Sequence, residues 1–354
     1  MSKRVLVAPL DWGLGHATRC IPMINELLKQ QVSVIIATNG AAYNLLQKEF
    51  PSVVLQKLPA YDIRYRNGSM IWNMGIQLPK IIWTIWNEHW QLQKLIQEYK
   101  IDIVISDNRY GCFSRKAKCI FVTHQLHIRI PNLLLQSIIQ FCNHFFIRRF
   151  DECWIPDVTG ENSLAGELVH PTNLSNVKFI GILSRMKPLI REKRWDAIIV
   201  LSGPEPQRTY LEEVILEQVV QLFYRFLIVQ GKPEGETKRL RDQEHVEIIS
   251  FLNSEELNEA MAASGVVICR SGYSSIMDLA MLGKKAILIP TPGQTEQEYL
   301  AARFLEQGIF YCQNQQHLDL EEALAKVKNF KGLQQSYSQQ KLSNVIHTLL
   351  TNPE

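Results

Sequence analysis

The chain lacks any long uninterrupted apolar segment, since nowhere do about 18 uncharged apolar residues follow one another. The sequence therefore predicts no membrane-spanning helix. The first residues run straight into the strand-like segment Val5–Ala8, with no apolar stretch that ends in a cleavage site, so no secretion signal is predicted. We expect a cytoplasmic protein whose membrane contact is at most peripheral, at the inner face of the cell membrane.

A strong excess of either charge is also absent. The 38 basic and 35 acidic residues leave a net charge of +3, which argues against a nucleic-acid-coating surface, and we expect no nucleic-acid partner. The seven cysteines include no Cys-x-x-Cys pair, which is typical of reduced thiols that bind no zinc. No Asp-x-Asp lies at a plausible strand end, so the sequence requires no divalent metal, and we expect no cofactor.

The chain does contain a repeated alternation of short apolar runs with helical patterns. Two cores are expected for 354 residues, of which 46% are hydrophobic. Strands are predicted at 5–8, 32–38, 101–106, 119–123 and 153–156, and a second series at 197–202, 225–230, 246–250, 265–269 and 286–290. This pattern predicts an α/β protein with two Rossmann-like doubly wound domains facing a cleft.

The predicted domains are residues 1–183 and 197–335, joined by a charged, proline-bearing linker at 184–196. A C-terminal helix is predicted within 336–354, and we expect it to pack back on the first domain. Ligands of doubly wound sheets bind beyond the carboxyl ends of the strands. The loops that follow the strands are therefore where functional residues are expected.

In the first domain, the loop Gly13-Leu-Gly15-His16 follows the first strand and opens a helix. Free backbone N–H groups and the helix dipole favour an anion there. A dinucleotide site would have a third glycine and an acidic residue after the second strand, but Thr18 and Asn39 occupy those positions. The loop therefore predicts a polar ligand other than a dinucleotide.

In the second domain, Cys269-Arg270-Ser271-Gly272 breaks a buried strand directly into a helix. The N-terminus of that helix, helped by the hydroxyls of Ser271 and Ser274, suits a diphosphate. Asp278 stands about two turns further on and suits the hydroxyls of a ribose. The alternative interpretation of the same residues is an ordinary helix cap.

Two further loops of the second domain carry polar groups. Ser202-Gly203-Pro-Glu-Pro-Gln-Arg208 is shaped for close approach of a ligand, or is a rigid turn before a helix capped by Thr209 and Glu212. The segment 290–299 carries amide and carboxylate groups that suit sugar hydroxyls. Its alternative interpretation is a capping box of Thr295 and Glu298.

These blocks resemble a known family. From Ile249-Ser-Phe251-Leu252 through Cys269-Arg-Ser-Gly272 to Gln297-Glu-Tyr299, the second half is similar to the donor domain of the peptidoglycan N-acetylglucosaminyltransferase family, glycosyltransferase family 28. The Gly-x-Gly-His loop at 13–16 matches the N-terminal domain of those enzymes more loosely. The resemblance implies a GT-B fold and a UDP-sugar donor.

The resemblance also implies roles for single residues. Asp278, assigned to the ribose, replaces the family's usual glutamate, and Glu298 replaces a usual glutamine, so the transferred sugar is either an N-acetylhexosamine or a hexose. Ser202, Gly203, Arg208, Arg270 and Ser274 are further expected donor contacts, with Arg270 or Arg208 near the leaving group. By position, the main chain of Phe251 and Leu252 would hold the base, Ser271 and Gly272 the diphosphate, and Gln297 and Glu298 the sugar.

The expected reaction is a metal-independent, inverting attack by an acceptor hydroxyl, either of a cell-envelope glycan or of a lipid-linked acceptor. Such an attack needs a general base from the first domain, near the acceptor loop that contains Gly13 and Gly15. We predict His16 as the base, with Asp107 or His124 as an alternative or an orienting partner. Each of the three has an alternative interpretation as a purely structural hydrogen-bonding side chain.

Two aromatic or apolar stretches bear on the acceptor. One contains Trp72, Trp83, Trp86 and Trp90, and the other runs over 133–150 and ends in Arg148-Arg149. They predict contact with a bilayer interface or a lipid-linked acceptor, and the alternative is a pair of core helices. Two other functions share the fold, a UDP-sugar epimerase and a non-catalytic donor-binding subunit.

Overall fold

Two mainly parallel sheets organise the chain, one in each of two units, Met1–Leu183 with Ser338–Glu354, and Ser184–Tyr337. The structure, a computed structural model, describes residues 3–61, 70–130, 132–172, 174–232, 239–243, 245–333, 337–338 and 340–351, with the backbone alone for 70–76 and 239–243. Each unit has the alternating strand and helix order that the sequence predicts, which confirms the α/β class.

Among its described residues, the sheet of the first unit has seven strands, and all their pairings are parallel. Their order is β3-β2-β1-β4-β5-β6-β7, so the direction of winding reverses between β1 and β4, where Pro9 pairs with Asp107. Ligand sites of doubly wound sheets lie at such a reversal. The strands are β1 (Arg4–Pro9), β2 (Ser33–Thr38), β3 (Val54–Lys57), β4 (Ile103–Asp107), β5 (Lys118–Val122), β6 (Glu152–Ile155) and β7 (Val177–Phe179).

In the described part of the unit, four α-helices connect these strands. They are α1 (Leu14–Lys29), α2 (Gly40–Glu49), α3 (Met70–Tyr99) and α4 (Leu133–Ile147). The strand interiors are continuous apolar runs, as in Val5–Ala8, because a parallel sheet is covered by helices on both faces. Helix α1 begins at Leu14, within the loop predicted at 13–16, since Gly13 adopts φ 86° and turns the chain directly into the helix.

The sheet of the second unit repeats the plan, with the order β10-β11-β9-β8-β12-β13-β14. All pairings are parallel except that of β10 with β11. The strands are β8 (Trp195–Val200), β9 (Phe226–Val229), β10 (Arg239–Gln243), β11 (Val246–Ile249), β12 (Ser264–Cys269), β13 (Ala286–Leu288) and β14 (Tyr311–Cys312). The helices are α5 (Gln207–Val219), α6 (Ser254–Ala262), α7 (Tyr273–Leu282), α8 (Thr295–Glu306) and α9 (Leu320–Lys326).

The last helix, α10 (Gln340–Thr351), belongs to the first unit. Ser343 on α10 donates a hydrogen bond to Glu26 of α1 at 2.8 Å, and Lys3 donates to the carbonyl of Leu349 at 3.2 Å. The linker predicted at 184–196 lies in the second unit, where residues 184–194 contain no helix or strand and β8 begins at Trp195. Within the described ranges, no helix is both long enough and apolar enough to cross a membrane.

Candidate functional site

The carboxyl edge of the first sheet brings together three residues that the sequence predicts as catalytic candidates. Nδ1 of His16 lies 2.9 Å from Oδ1 of Asp107, at the point where β1 and β4 end side by side. His124, which follows β5, lies on the other side of a shared arginine, Arg19. Asp107 is completely buried, whereas 16% of the His16 side chain is exposed. His16 is therefore the member of the cluster that has an edge open to solvent.

Arg19 is the residue of this cluster that the sequence prediction missed. It lies one helical turn after His16 on α1. Its guanidinium donates to both carboxylate oxygens of Asp107, from Nε to Oδ2 at 2.5 Å and from Nη2 to Oδ1. Its Nη1 lies 2.6 Å from Nδ1 of His124. The spacing of three residues from His16 was a signal, because residues i and i+3 share a helix face.

Electrostatics in this cluster keep His16 neutral and Asp107 charged. Burial lowers the pKa of His16, and the neighbouring Arg19 lowers it further, against the opposing effect of Asp107. Burial by itself raises the pKa of Asp107, but Arg19 and His16 outweigh it and hold that pKa well below its usual range. A neutral imidazole next to a fixed carboxylate is the state that accepts a proton.

Nδ1 of His16 lies 2.9 Å from two groups, Oδ1 of Asp107, which accepts, and Nη2 of Arg19, which donates. The contact with Asp107 suits a ring proton on Nδ1, and the contact with Arg19 suits a lone pair there. With the proton on Nδ1, the lone pair is on Nε2, and Nε2 is then the atom that can remove a proton from a bound hydroxyl.

At the carboxyl edge of the second sheet, three loops converge on Gly203. This glycine follows β8 with φ 112°, a conformation that favours glycine, and a Cβ placed on it would lie 3.7 Å from Oγ1 of Thr291 and 3.9 Å from Nε of Arg270. Both of those polar atoms are buried and have no hydrogen-bond partner in the part of the chain that the structure describes. Two unused donors therefore flank a position that lacks a side chain.

Arg270 is a buried cation with no carboxylate partner among the described residues. Its other donors bond to neutral oxygens, the carbonyls of Ile289, Pro290 and Gln207 and the amide of Gln315, at 2.7–3.3 Å. Burial lowers its pKa to about 10, so it stays charged at neutral pH. An uncompensated buried charge is costly unless an anion joins it.

The N-terminus of α7 lies directly after Arg270. Gly272 caps the helix without a side-chain bond, and a Cβ on it would meet no other atom within 4 Å, so its backbone adjoins open space. Ser271 is buried and donates its hydroxyl to the carbonyl of Gln297 at 2.8 Å, while Ser274 lies in the first turn. The helix start therefore presents backbone N–H groups rather than the Ser271 hydroxyl to an anion.

Side chains of the segment 290–299 stabilise their own loop. Oε1 of Gln297 accepts from the backbone N–H of Thr291 and Oε1 of Glu298 accepts from that of Gly293, both at 2.9 Å. The predicted capping box of Thr295 and Glu298 is wrong, because α8 begins at Thr295 with Gln294 at its cap and no side-chain cap bond. Gln297 and Glu298 shape the loop that reaches Thr291.

Two predicted donor contacts have other partners in the structure. Asp278 is buried and accepts a 2.6 Å bond from the Ser184 hydroxyl, with Nε of Arg185 at 3.8 Å. Arg208 is paired with Glu205 and Glu212. The charge of Arg208 is therefore neutralised by two carboxylates, whereas that of Arg270 is not.

The predicted capping box of Thr209 and Glu212 is also wrong. Helix α5 starts at Gln207, two residues before Thr209, and it has no side-chain cap bond. Thr209 donates its hydroxyl to Glu205 at 2.8 Å, and Glu212 accepts from Arg208 at 2.6 Å. Both side chains therefore serve the loop and the helix surface rather than the helix start.

The remaining predicted donor residues lie on the same edge of the second sheet. Ser202 and Gly203 follow β8, while Phe251 and Leu252 follow β11 with buried side chains. Their contribution to a ligand would therefore come from the main chain. No group of three or more His, Cys, Asp or Glu side chains that could hold a metal ion occurs among the described residues.

Helix α4 has its polarity inverted. The inward face carries three polar side chains, Gln136, Gln140 and Asn143, which form hydrogen bonds with the backbone of residues 125–130. In one of these bonds, Oε1 of Gln136 accepts from the N–H of Ile130 at 3.0 Å. The outward face is apolar and exposed. The core-helix interpretation is wrong for this face, whose exposed apolar residues are Leu133, Leu134, Ile138, Phe141 and Phe145.

Helix α3 presents a second outward apolar face. Trp83, Trp86 and Trp90 are 62%, 60% and 53% exposed, so the core-helix interpretation is wrong for them as well. Trp72 lies outside the residues whose side chains the structure describes. Large contiguous apolar patches on a protein surface mark sites of interaction with another apolar surface.

Comparison with known proteins shows similarity to glycosyltransferases. The glycosyltransferase family 28 C-terminal domain matches residues 197–349. A Haemophilus influenzae (strain PittEE) protein named UDP-N-acetylglucosamine–N-acetylmuramyl-(pentapeptide) pyrophosphoryl-undecaprenol N-acetylglucosamine transferase is 28% identical over 93% of this chain and 91% of its own. An uncharacterized glycosyltransferase of Methanosarcina acetivorans is 22% identical over 86% of this chain and 84% of its own.

Solved structures share the fold. The crystal structure of Acinetobacter baumannii MurG superimposes with a TM-score of 0.58 at 14% identity, over 98% of this chain and 100% of that one. Spinosyn forosaminyltransferase SpnP superimposes with a TM-score of 0.65 at 11% identity, over 99% and 100%. These likenesses confirm the predicted GT-B architecture.

Proposed function

Because the chain is a family 28 glycosyltransferase with the GT-B fold, we propose that it transfers a sugar from a UDP-sugar to a hydroxyl of a lipid-linked acceptor. The observation that carries the donor side is the buried, uncompensated Arg270 guanidinium beside the unpaired Thr291 hydroxyl. The donor named for the Haemophilus influenzae relative, UDP-N-acetylglucosamine, has the matching chemistry.

The donor diphosphate would occupy the edge formed by Gly203, Arg270 and Thr291. It would accept hydrogen bonds from the unused Nε of Arg270, from Oγ1 of Thr291 and from the backbone at the start of α7. An anion there compensates the Arg270 charge, which is otherwise left buried among neutral carbonyls. The same groups would stabilise UDP as it leaves.

The acceptor side would use the His16 cluster. Nε2 of His16 takes the proton of the acceptor hydroxyl, while Asp107 accepts the proton on Nδ1. The acceptor oxygen forms a bond to the anomeric carbon, and the bond from that carbon to the β-phosphate oxygen breaks. UDP departs with the electron pair, and the configuration at the anomeric carbon is inverted without a metal ion.

The acceptor class is inferred from the outward faces of α3 and α4. Two helices of one unit expose tryptophan, phenylalanine and leucine, and Arg148 and Arg149 directly follow the last residue of α4. Aromatic side chains beside arginine suit the interface of a membrane that contains anionic lipids. A peripheral position on such a membrane would give the enzyme access to a lipid-linked acceptor.

The donor site is tested by Thr291→Val. We expect the dissociation constant of UDP to rise by about tenfold, since a hydrogen bond to a charged group contributes about 1.5–3 kcal/mol. The free energy of unfolding should not fall, because the buried hydroxyl has no partner to lose. Calorimetric titration with UDP measures the first quantity and denaturant unfolding the second.

Thr38→Val is the matched control for that experiment. The Thr38 hydroxyl is buried in the first unit and donates to the carbonyl of Pro9 at 2.8 Å, so its loss should reduce stability and leave UDP affinity unchanged. If Thr291→Val binds UDP as tightly as the unmodified protein, Thr291 does not contact the diphosphate.

The membrane side is tested by Trp83→Ser and Trp86→Ser in vesicle sedimentation. We expect each change to weaken binding to vesicles that contain phosphatidylglycerol by about tenfold or more, because burying a large apolar side chain contributes about 1.5–3 kcal/mol. Phe223→Ser is the control, since Phe223 is fully exposed in the second unit. Unchanged sedimentation of the tryptophan variants would exclude the α3 face from membrane contact.

A further inference from the structure

A second charged cluster lies beside the His16 site, and the proposed reaction does not use it. Arg109 follows β4 and is completely buried, as is its partner Glu88 of α3, at 2.5 Å. The opposite end of the guanidinium donates to Oδ1 of Asp11 at 3.1 Å. One arginine therefore joins two carboxylates that come from different parts of the first unit.

The Arg109 side chain also bonds the backbone of two loops. Its Nε donates to the carbonyl of Pro9 at 2.9 Å, and Nη1 donates to that of Pro59 at 3.2 Å. Glu88 accepts a further bond from the Tyr61 hydroxyl at 3.0 Å and one from the backbone of Gly111 at 2.9 Å. The cluster thus fastens α3 to the loops that follow β1, β3 and β4.

Asp11 gives this cluster a link to the reaction. It lies at the start of the loop that leads through Gly13 to His16, and its own carbonyl accepts from the Gly13 N–H at 3.1 Å. A buried ion pair contributes little net stability compared with apolar packing, so stability by itself gives no reason for a second carboxylate here. A hydrogen bond that orients the loop preceding His16 does explain why a second carboxylate is present.

We propose that Arg109 is a positioning residue, which holds the Asp11–Gly15 loop and thereby sets where His16 meets the acceptor. The consequence for turnover rests on the proposed function. The tether itself is a property of the loop and is measurable without turnover. Helix α3 takes part from its inward face through Glu88, while its tryptophans lie on the outward face.

The test compares Asp11→Asn with Tyr61→Phe. Tyr61→Phe removes one hydrogen bond from the cluster, whereas Asp11→Asn keeps an accepting oxygen but removes the charge that tethers the loop. Asp11→Asn should lower kcat by about 10–100-fold, since small displacements of a catalytic group have effects of that size. The KM for the UDP-sugar and the acid limb of the pH profile should not move, because the donor groups and the His16–Asp107 pair are intact.

Hydrogen–deuterium exchange gives the readout that does not depend on activity. Amides of residues 10–19 should exchange faster in Asp11→Asn than in Tyr61→Phe, even if Tyr61→Phe has the lower Tm. Equal exchange in the two variants overturns the tether. Equal loss of kcat in both variants, or a rise in acceptor KM at unchanged kcat for Asp11→Asn, overturns the positioning role. Absence of transfer by the unmodified protein would instead count against the proposed function, and the exchange result would still decide the tether.

Discussion

His16→Ala should lower kcat for sugar transfer by about 10²–10⁴-fold, the usual contribution of a general base. Binding of the UDP-sugar should be unchanged, because the groups assigned to the donor all lie in the second unit. Steady-state release of UDP in the presence of acceptor gives kcat, and titration calorimetry gives donor affinity. The expected result is a protein that binds the donor normally and turns it over very slowly.

The pH profile of the unmodified enzyme provides a second check on His16. Burial and Arg19 lower the pKa of His16 below its ordinary value of 6.5, so the imidazole stays neutral until the pH falls below that value. Activity should therefore be lost on the acid side at a pH below 6.5, as His16 gains a proton. An acid limb above 6.5 would contradict the assignment.

His124→Gln is the matched control for the base. His124 contacts the same Arg19 but is only 5% exposed, whereas 16% of the His16 side chain is exposed. Its replacement should cost much less activity than His16→Ala. If His124→Gln is the more damaging change, then His124 is the base and His16 is not.

Arg270→Gln should abolish the preference of the donor site for a charged ligand. In the unmodified protein, UDP should raise Tm more than uridine does, because the diphosphate pairs with a buried cation. In Arg270→Gln that difference should disappear, and the dissociation constant of UDP should rise by about 10–150-fold, as for loss of hydrogen bonds to a charged group.

Arg208→Gln controls for the general effect of removing a buried arginine. Arg208 is buried, as Arg270 is, but Glu205 and Glu212 already neutralise its charge. This variant should lose stability while keeping the difference between UDP and uridine. If Arg270→Gln keeps the difference as well, the diphosphate does not lie at Arg270.

The central strands of both sheets were predictable from the sequence, and the edges were not. The central strands are continuous apolar runs, because helices cover both faces of a parallel sheet. The edge strands β3 and β7 are short and half-exposed, and Val54–Lys57 lacks a buried face altogether. Without an apolar pattern, nothing in these segments distinguishes a strand from a loop.

The candidate site residues that stand at or after strand ends, such as His16, Asp107 and Arg270, could be proposed from the sequence. Side-chain hydrogen bonds between residues far apart in the sequence were not predictable. The bond of Ser184 to Asp278 spans 94 residues, and only the fold brings the two together. Thr291 stands inside a segment that the sequence singled out, but its unpaired hydroxyl is visible only in the structure.

The orientation of the apolar helices also needed the structure. Composition by itself cannot say which face of α4 points outward, and an apolar helix is most often a core helix. The glutamines at positions 136 and 140 share one face with Asn143, and their bonds to the loop at 125–130 make that face the inner one. The apolar residues are therefore left on the outside.

Acceptor-dependent turnover of a UDP-sugar tests the central claim most directly. The purified protein would be incubated with UDP-N-acetylglucosamine, with and without a lipid-linked acceptor in vesicles, and both UDP and the sugar would be followed by NMR. The account predicts UDP release that depends on the acceptor, together with a product whose anomeric configuration is inverted. A change in the sugar without any acceptor would show an epimerase instead, and UDP binding without turnover of any acceptor would show a donor-binding subunit.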